Sequence, residues 1–176
     1  MGVINVKGNI MKLNKLLIAA TLLIASSMVQ AASMSNYLEN KVIDWLLRGQ
    51  TYTVPTTQYF ALATTSGSDA ACGTEVTGGS YARVAVTSSM ANFAGTQSSG
   101  STVASSGTGG TTSNNVAVTF PAPTANWGSV VEYCVFDAST SGNLLYRASL
   151  TVSKTVNNGD AAPSFAIGSA TFQIDN

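Results

Sequence analysis

Residues 129–152 read Ser-Val-Val-Glu-Tyr-Cys-Val-Phe-Asp-Ala-Ser-Thr-Ser-Gly-Asn-Leu-Leu-Tyr-Arg-Ala-Ser-Leu-Thr-Val. Two runs rich in β-branched and aromatic residues, 129–136 and 144–152, flank Ser139-Thr140-Ser141-Gly142-Asn143, a cluster suited to reversing the chain. This is the clearest hairpin signal in the sequence, and similar language extends on both sides of it. Gln58 to Thr64 alternates Tyr59, Ala61 and Ala63 against Phe60 and Leu62, and Tyr81 to Thr87 alternates after Gly78-Gly79. Val116 to Phe120 alternates and stops at Pro121 and Pro123; Ser164 to Ile174 supplies a closing strand or two after the turn Asn157-Asn158-Gly159-Asp160. Short strands at such spacing predict a mainly β fold: a single β-sandwich or barrel-like domain.

One helix is expected ahead of these strands, over 35–48. Ser35 or Asn36 can cap it, and Leu38, Val42, Trp45 and Leu46 recur at helical spacing while Glu39, Lys41 and Asp44 take the other face. Gly49 is placed to end it in a left-handed conformation. An amphipathic helix centred on Trp45 requires a partner surface, either its own sheet or a neighbouring subunit, which makes Leu38, Val42, Trp45 and Leu46 candidate assembly residues. Between 95 and 115 the chain is almost entirely Gly, Ser and Thr and reads as a mobile surface loop or an exposed binding tip.

The first thirty-one residues follow a different logic. Lys12 and Lys15 precede the apolar run Leu16 to Ala25, and Val29-Gln30-Ala31 places small residues three and one positions before a break. These are the parts of a secretory signal, cleaved after Ala31, with an apolar core shorter than the roughly 20 residues a membrane-spanning helix needs. Residues 1–31 are therefore expected to be removed, leaving 32–176 as the working domain, with the membrane met only during export. Met1, Met11 and Met34 are all possible starts. In an oxidising compartment Cys72 and Cys134 could form a disulfide; buried free thiols are the alternative.

Charged residues make up 9 % of the chain, against roughly 25 % in ordinary soluble domains. Loss of Lys7, Lys12 and Lys15 with the signal leaves five basic against eight acidic residues, so no basic patch favours nucleic acid. The sequence contains no histidine, which removes the usual general base near neutral pH, the Ser-His and Cys-His pairs and most zinc sites. Glu132 and Asp137 would face opposite sides of one strand, and Asp69, Glu75 and Asp160 match no calcium loop. Each of these carboxylates reads as a turn or surface group. No phosphate loop, dinucleotide fingerprint or nucleophile elbow is present, so neither catalysis nor a cofactor nor a metal is expected. Trp127 and Tyr133 could offer a sugar platform, or simply pack in the core.

The stretch Met34-Ser35-Asn36-Tyr37-Leu38-Glu39, then Tyr59 to Leu62, Gly73 to Val86, Val118 to Pro121, Ala125 to Gly128, Phe136 to Ala138, Gly142 to Tyr146 and Lys154 to Asp160, resembles phage tail-fibre or virion structural proteins. The resemblance covers nearly all of 34–176 in order, apart from an expanded 95–115 segment. It implies a small β domain, without a cofactor, that works by subunit contact within a virion. Met34 resembles that family's own start, so the signal ahead of it points to a phage module recruited for export. The expectation is a non-enzymatic, self-assembling subunit of an extracellular filament or fibre. A genuine virion protein (tail fibre or capsid decoration) is the alternative, and a secreted module binding a cell-surface glycan or receptor a further one.

Overall fold

A computed structural model describes residues 23–24 and 31–174. Ten strands and one helix follow in order: β1 (Leu23–Ile24), β2 (Ser33–Met34), α1 (Asn36–Leu47), β3 (Thr57–Ala63), β4 (Val84–Thr87), β5 (Thr111–Ser113), β6 (Val118–Thr119), β7 (Gly128–Phe136), β8 (Leu144–Val156), β9 (Ser164–Phe165) and β10 (Thr171–Gln173). Most of the proposed signal lies outside the described residues. Within it, Leu23 and Ile24 pair in parallel with Ser164 and Phe165.

The hairpin at 129–152 forms the centre of the fold. β7 and β8 are antiparallel partners in a five-stranded sheet of order β2-β8-β7-β3-β4. Asp137 accepts hydrogen bonds from the backbone N–H and the side-chain amide of Asn143, both at 2.7 Å, which closes the connection. Gly142 turns there at φ +79°, and a Cβ at that position would lie 2.6 Å from Asp137 Oδ1. The turn therefore requires glycine on both steric and dihedral grounds.

Alternation along the central strands gives the sheet two buried faces. Phe60, Leu62, Tyr133 and Val135 point to one side, where they meet Phe120, Phe165 and Phe172 from two smaller sheets, β1-β9-β6 and β10-β5. Edge-to-face contacts link Phe60 to Phe172 and Phe120 to Phe165 across this layer. Ala61, Cys134, Phe136 and Leu144 point to the other side, under the 64–75 loop. The sheets do not close into a barrel, so of the two architectures expected the layered one is found.

Two local expectations differ from the structure, and one open alternative is decided by it. The 95–115 segment contains β5, and its end carries the fully buried Asn114. Asn114 donates to the Val116 and Ala166 carbonyls and accepts from the Ala170 N–H, each at 2.8 Å. Thr and Ser can pair in a ladder as well as populate a loop, and composition alone does not separate the two uses. The rest of the segment bonds to itself: Gln97 donates to the Ala104 carbonyl and Thr96 to that of Ser106. Tyr81 precedes β4 rather than starting it: its ring stacks on Phe120 and meets Trp127 edge-to-face, while its hydroxyl accepts from the Leu62 N–H. Trp127 and Tyr133 are core residues, with Trp127 Nε1 donating to the Gly79 carbonyl and the Tyr133 hydroxyl to that of Thr171, so neither ring offers a sugar platform.

Candidate assembly surface

α1 sits on a mount that begins with one buried carboxylate. Glu132, on the same face of β7 as Cys134, is fully buried, so its reading as a turn or surface group is corrected. An inward acid on a central strand is costly to bury unless every oxygen is occupied. Here Oε1 accepts from Arg147 Nε at 2.8 Å and Nη2 at 2.6 Å, and Oε2 accepts from the backbone N–H groups of Gly67 and Gly73 at 2.9 and 3.0 Å. Beside it Cys72 is bonded to Cys134, with Cα atoms 6.1 Å apart across 62 residues of sequence. Glu132 and the disulfide together fix the 64–75 loop to the sheet. Gly73 fits because a Cβ there would fall 1.7 Å from the Thr65 carbonyl oxygen.

That loop positions the helix. The Asp69 carbonyl accepts from the Asn36 N–H at 3.0 Å, while the Asp69 carboxylate lies 3.6 Å from Arg147. Ser35 caps α1: its hydroxyl accepts from the Leu38 N–H at 3.2 Å and donates to the Leu144 carbonyl, and its own N–H reaches the Leu145 carbonyl at 2.9 Å. Arg48 donates back to the Asp44 carbonyl and Gly49 adopts φ +67°, ending the helix.

The four stripe residues divide along the helix. Leu38 is buried at the base and Val42 half-buried, whereas Trp45 is 59 % and Leu46 64 % exposed. Ile43 and Leu47 add exposed apolar surface, at 48 % and 76 %. The stripe that packs on the domain at Leu38 thus continues past its edge with none of the described residues beneath it. Of the remaining candidates, Ala31 is half-buried at the start of the described chain, and the acids assigned to turns have local partners: Glu75 pairs with Arg83 at 2.7 Å and Asp160 accepts from the Asn157 N–H at 2.8 Å. The Glu132–Arg147 pair was missed from sequence, although its signal was present: two opposite charges sit on adjacent strands of one predicted hairpin. No described helix is long and apolar enough to cross a membrane.

Residues 33–173 match the family described as podophage GP4 fiber I protein gp80. The chain belongs to this family. None of the curated proteins matches it. Membership makes it a phage-fibre-like structural protein, and the match begins one residue before Met34, taking in β2, the helix cap and everything built on them. The Glu132 mount and the projecting stripe therefore both belong to the fibre module itself.

Proposed function

We propose that the chain is a non-enzymatic fibre subunit that assembles with copies of itself outside the cytoplasm. The observation that carries this reading is the α1 stripe. It leaves Trp45 and Leu46 exposed on a helix whose base is rigidly mounted, in a protein of a fibre family. Taking about 200 Å² for each large apolar side chain, Trp45 and Leu46 leave roughly 250 Å² of apolar surface open on the stripe, and Ile43 and Leu47 expose more on the other side of the helix. Low charge over the rest of the domain supports the same reading, because hydroxyl-rich surface is desolvated at less cost than charged surface.

The signal-like segment ending at Ala31 favours delivery by secretion to an extracellular filament. A second reading, a tail fibre or capsid decoration within a virion, is favoured by the family match and by Met34 at its start. Light scattering and negative-stain electron microscopy of the native material, with N-terminal sequencing, separate them. Oligomers beginning at Ala32 in the secreted fraction are expected. A monomer at all concentrations overturns self-assembly, and chains beginning at Met34 inside phage particles overturn export.

A further inference from the structure

Between the five-stranded sheet and β10 lies a cavity of about 270 Å³. Its apolar floor is Phe93, Val135, Tyr146 and Phe172, and its rim includes Gln58 and Ser88. No charged side chain lines it. Phe172 is 4 % and Val135 1 % exposed, so the floor is formed by side chains held in the core. Such a site suits an apolar side chain better than a sugar, which needs several directed polar partners. The chain itself displays a matching element, since Trp45 and Leu46 are exposed and fill no cavity of their own molecule.

We propose that the α1 tip of one copy, led by Trp45 and Leu46, docks into this cavity on a second copy, head to tail. The inference rests on the self-assembly reading and specifies its contact. Charge favours the match: the cavity is neutral, and the charges closest to the helix tip, Asp44 and Arg48, already pair with each other at 3.3 Å. Docking therefore buries no unpaired ion. Trp45 and Leu46, at about 200 Å² for each side chain, expose roughly 250 Å², about a third of the about 800 Å² per partner in a standard interface, so they serve as the buried anchor of a wider contact. Because knob and cavity are different surfaces, a docked pair still has one knob and one cavity free, and assembly continues until the rotation closes a ring or runs on as a filament.

The test uses the chain from Ala32 onward and two variants at exposed positions: Trp45→Ser, which removes the knob, and Ser89→Trp, which blocks the cavity from its rim. Sedimentation of the unaltered chain is expected to show oligomers that grow with concentration. Each variant alone is expected to fall to monomer, with association weakened at least tenfold. An equimolar mixture of the two should form a 1:1 dimer and stop there, since one intact knob meets one intact cavity. Dimer formation also demonstrates that both variants are folded. Variants that assemble like the unaltered chain, or a mixture that stays monomeric beside an assembling parent, overturn the docking mode and leave self-assembly standing. A parent that is monomeric throughout, or whose Trp45 is shielded from quencher in the monomer, overturns the proposal; the former removes the self-assembly reading as well.

Discussion

Glu132 concentrates more consequence than any other single residue. Its carboxylate satisfies Arg147 and two backbone donors at once, so replacing it leaves a largely buried guanidinium with only the more distant Asp69 carboxylate, at 3.6 Å, and two amides without acceptors. Glu132→Leu is expected to lower stability by about 3–5 kcal/mol, the usual cost of breaking a buried pair from one side. Adding Arg147→Leu should recover part of that loss but not all, because the Gly67 and Gly73 N–H groups remain unpaired. Urea unfolding of the single and double variants measures this, and full recovery in the double variant would show that the loop contacts carry nothing. The neighbouring disulfide should be worth about 4 kcal/mol on the chain-entropy estimate, read as the loss in Cys72→Ser with Cys134→Ser. Tyrosine sets a separate limit at high pH. Burial holds the Tyr133 and Tyr81 hydroxyls well above the usual value of 10.0, aided at Tyr81 by the nearby Glu75. Above pH 10 the unfolded chain sheds protons that the native chain retains, so stability is complete below that pH and falls as pH rises beyond it. The slope is at most about 1.4 kcal/mol per pH unit for each such tyrosine. Thermal melts at pH 9, 10 and 11 should be level at first and then decline. A transition temperature that held steady to pH 11 would contradict it.

At the scale of elements, legibility followed periodicity. β3, β7 and β8 were readable because alternation and a Ser/Gly/Asn turn specify them locally, and α1 because its cap, stripe and terminal glycine agree. β5 was not readable: Thr111, Thr112 and Ser113 owe their strand conformation to pairing with Gln173, Phe172 and Thr171 on β10, a partner far along the chain. Nor was Glu132, whose burial depends on the Gly67 and Gly73 amides arriving from a loop that carries no periodic pattern. The same dependence makes Asn114 a sharp probe of the β5 region. Asn114→Asp replaces two donors with acceptors facing the Val116 and Ala166 carbonyls, and should cost more than about 2 kcal/mol. The loss should ease in acid, where the carboxyl regains a proton to donate. A pH-independent loss would mean that the site admits water.

Across the whole molecule, the residues just after the proposed cleavage point tie the layers together. Ala32 is fully buried; its N–H donates to the Thr171 carbonyl at 2.8 Å and its carbonyl accepts from Gln173 at 3.1 Å. Ser33 and Met34 then pair with Arg147 and Tyr146 on β8, so a strap of a few residues joins β10 to the five-stranded sheet before entering α1. A signal peptidase needs extended, accessible backbone on both sides of the bond it cuts, and the folded strap offers none at Ala32. On the export reading, removal of residues 1–31 would have to precede folding, as translocation of an unfolded chain would ensure. The purified, folded full-length chain is expected to resist cleavage after Ala31 in detergent, while the same chain presented to the enzyme from urea is cut there. Equal cutting of both forms would show that the strap opens freely. A companion comparison distinguishes the two places of work. A chain starting at Ala32 keeps every strap contact, with its new ammonium donating to the Thr171 carbonyl, whereas a chain starting at Met34 forfeits the bonds of Ala32. The Ala32 form should melt several degrees higher, at about 4–8 °C per kcal/mol for the smaller domains and rather less at this length. Equal melting temperatures would mean that the domain is as well suited to a cytoplasmic start at Met34 as to an exported one.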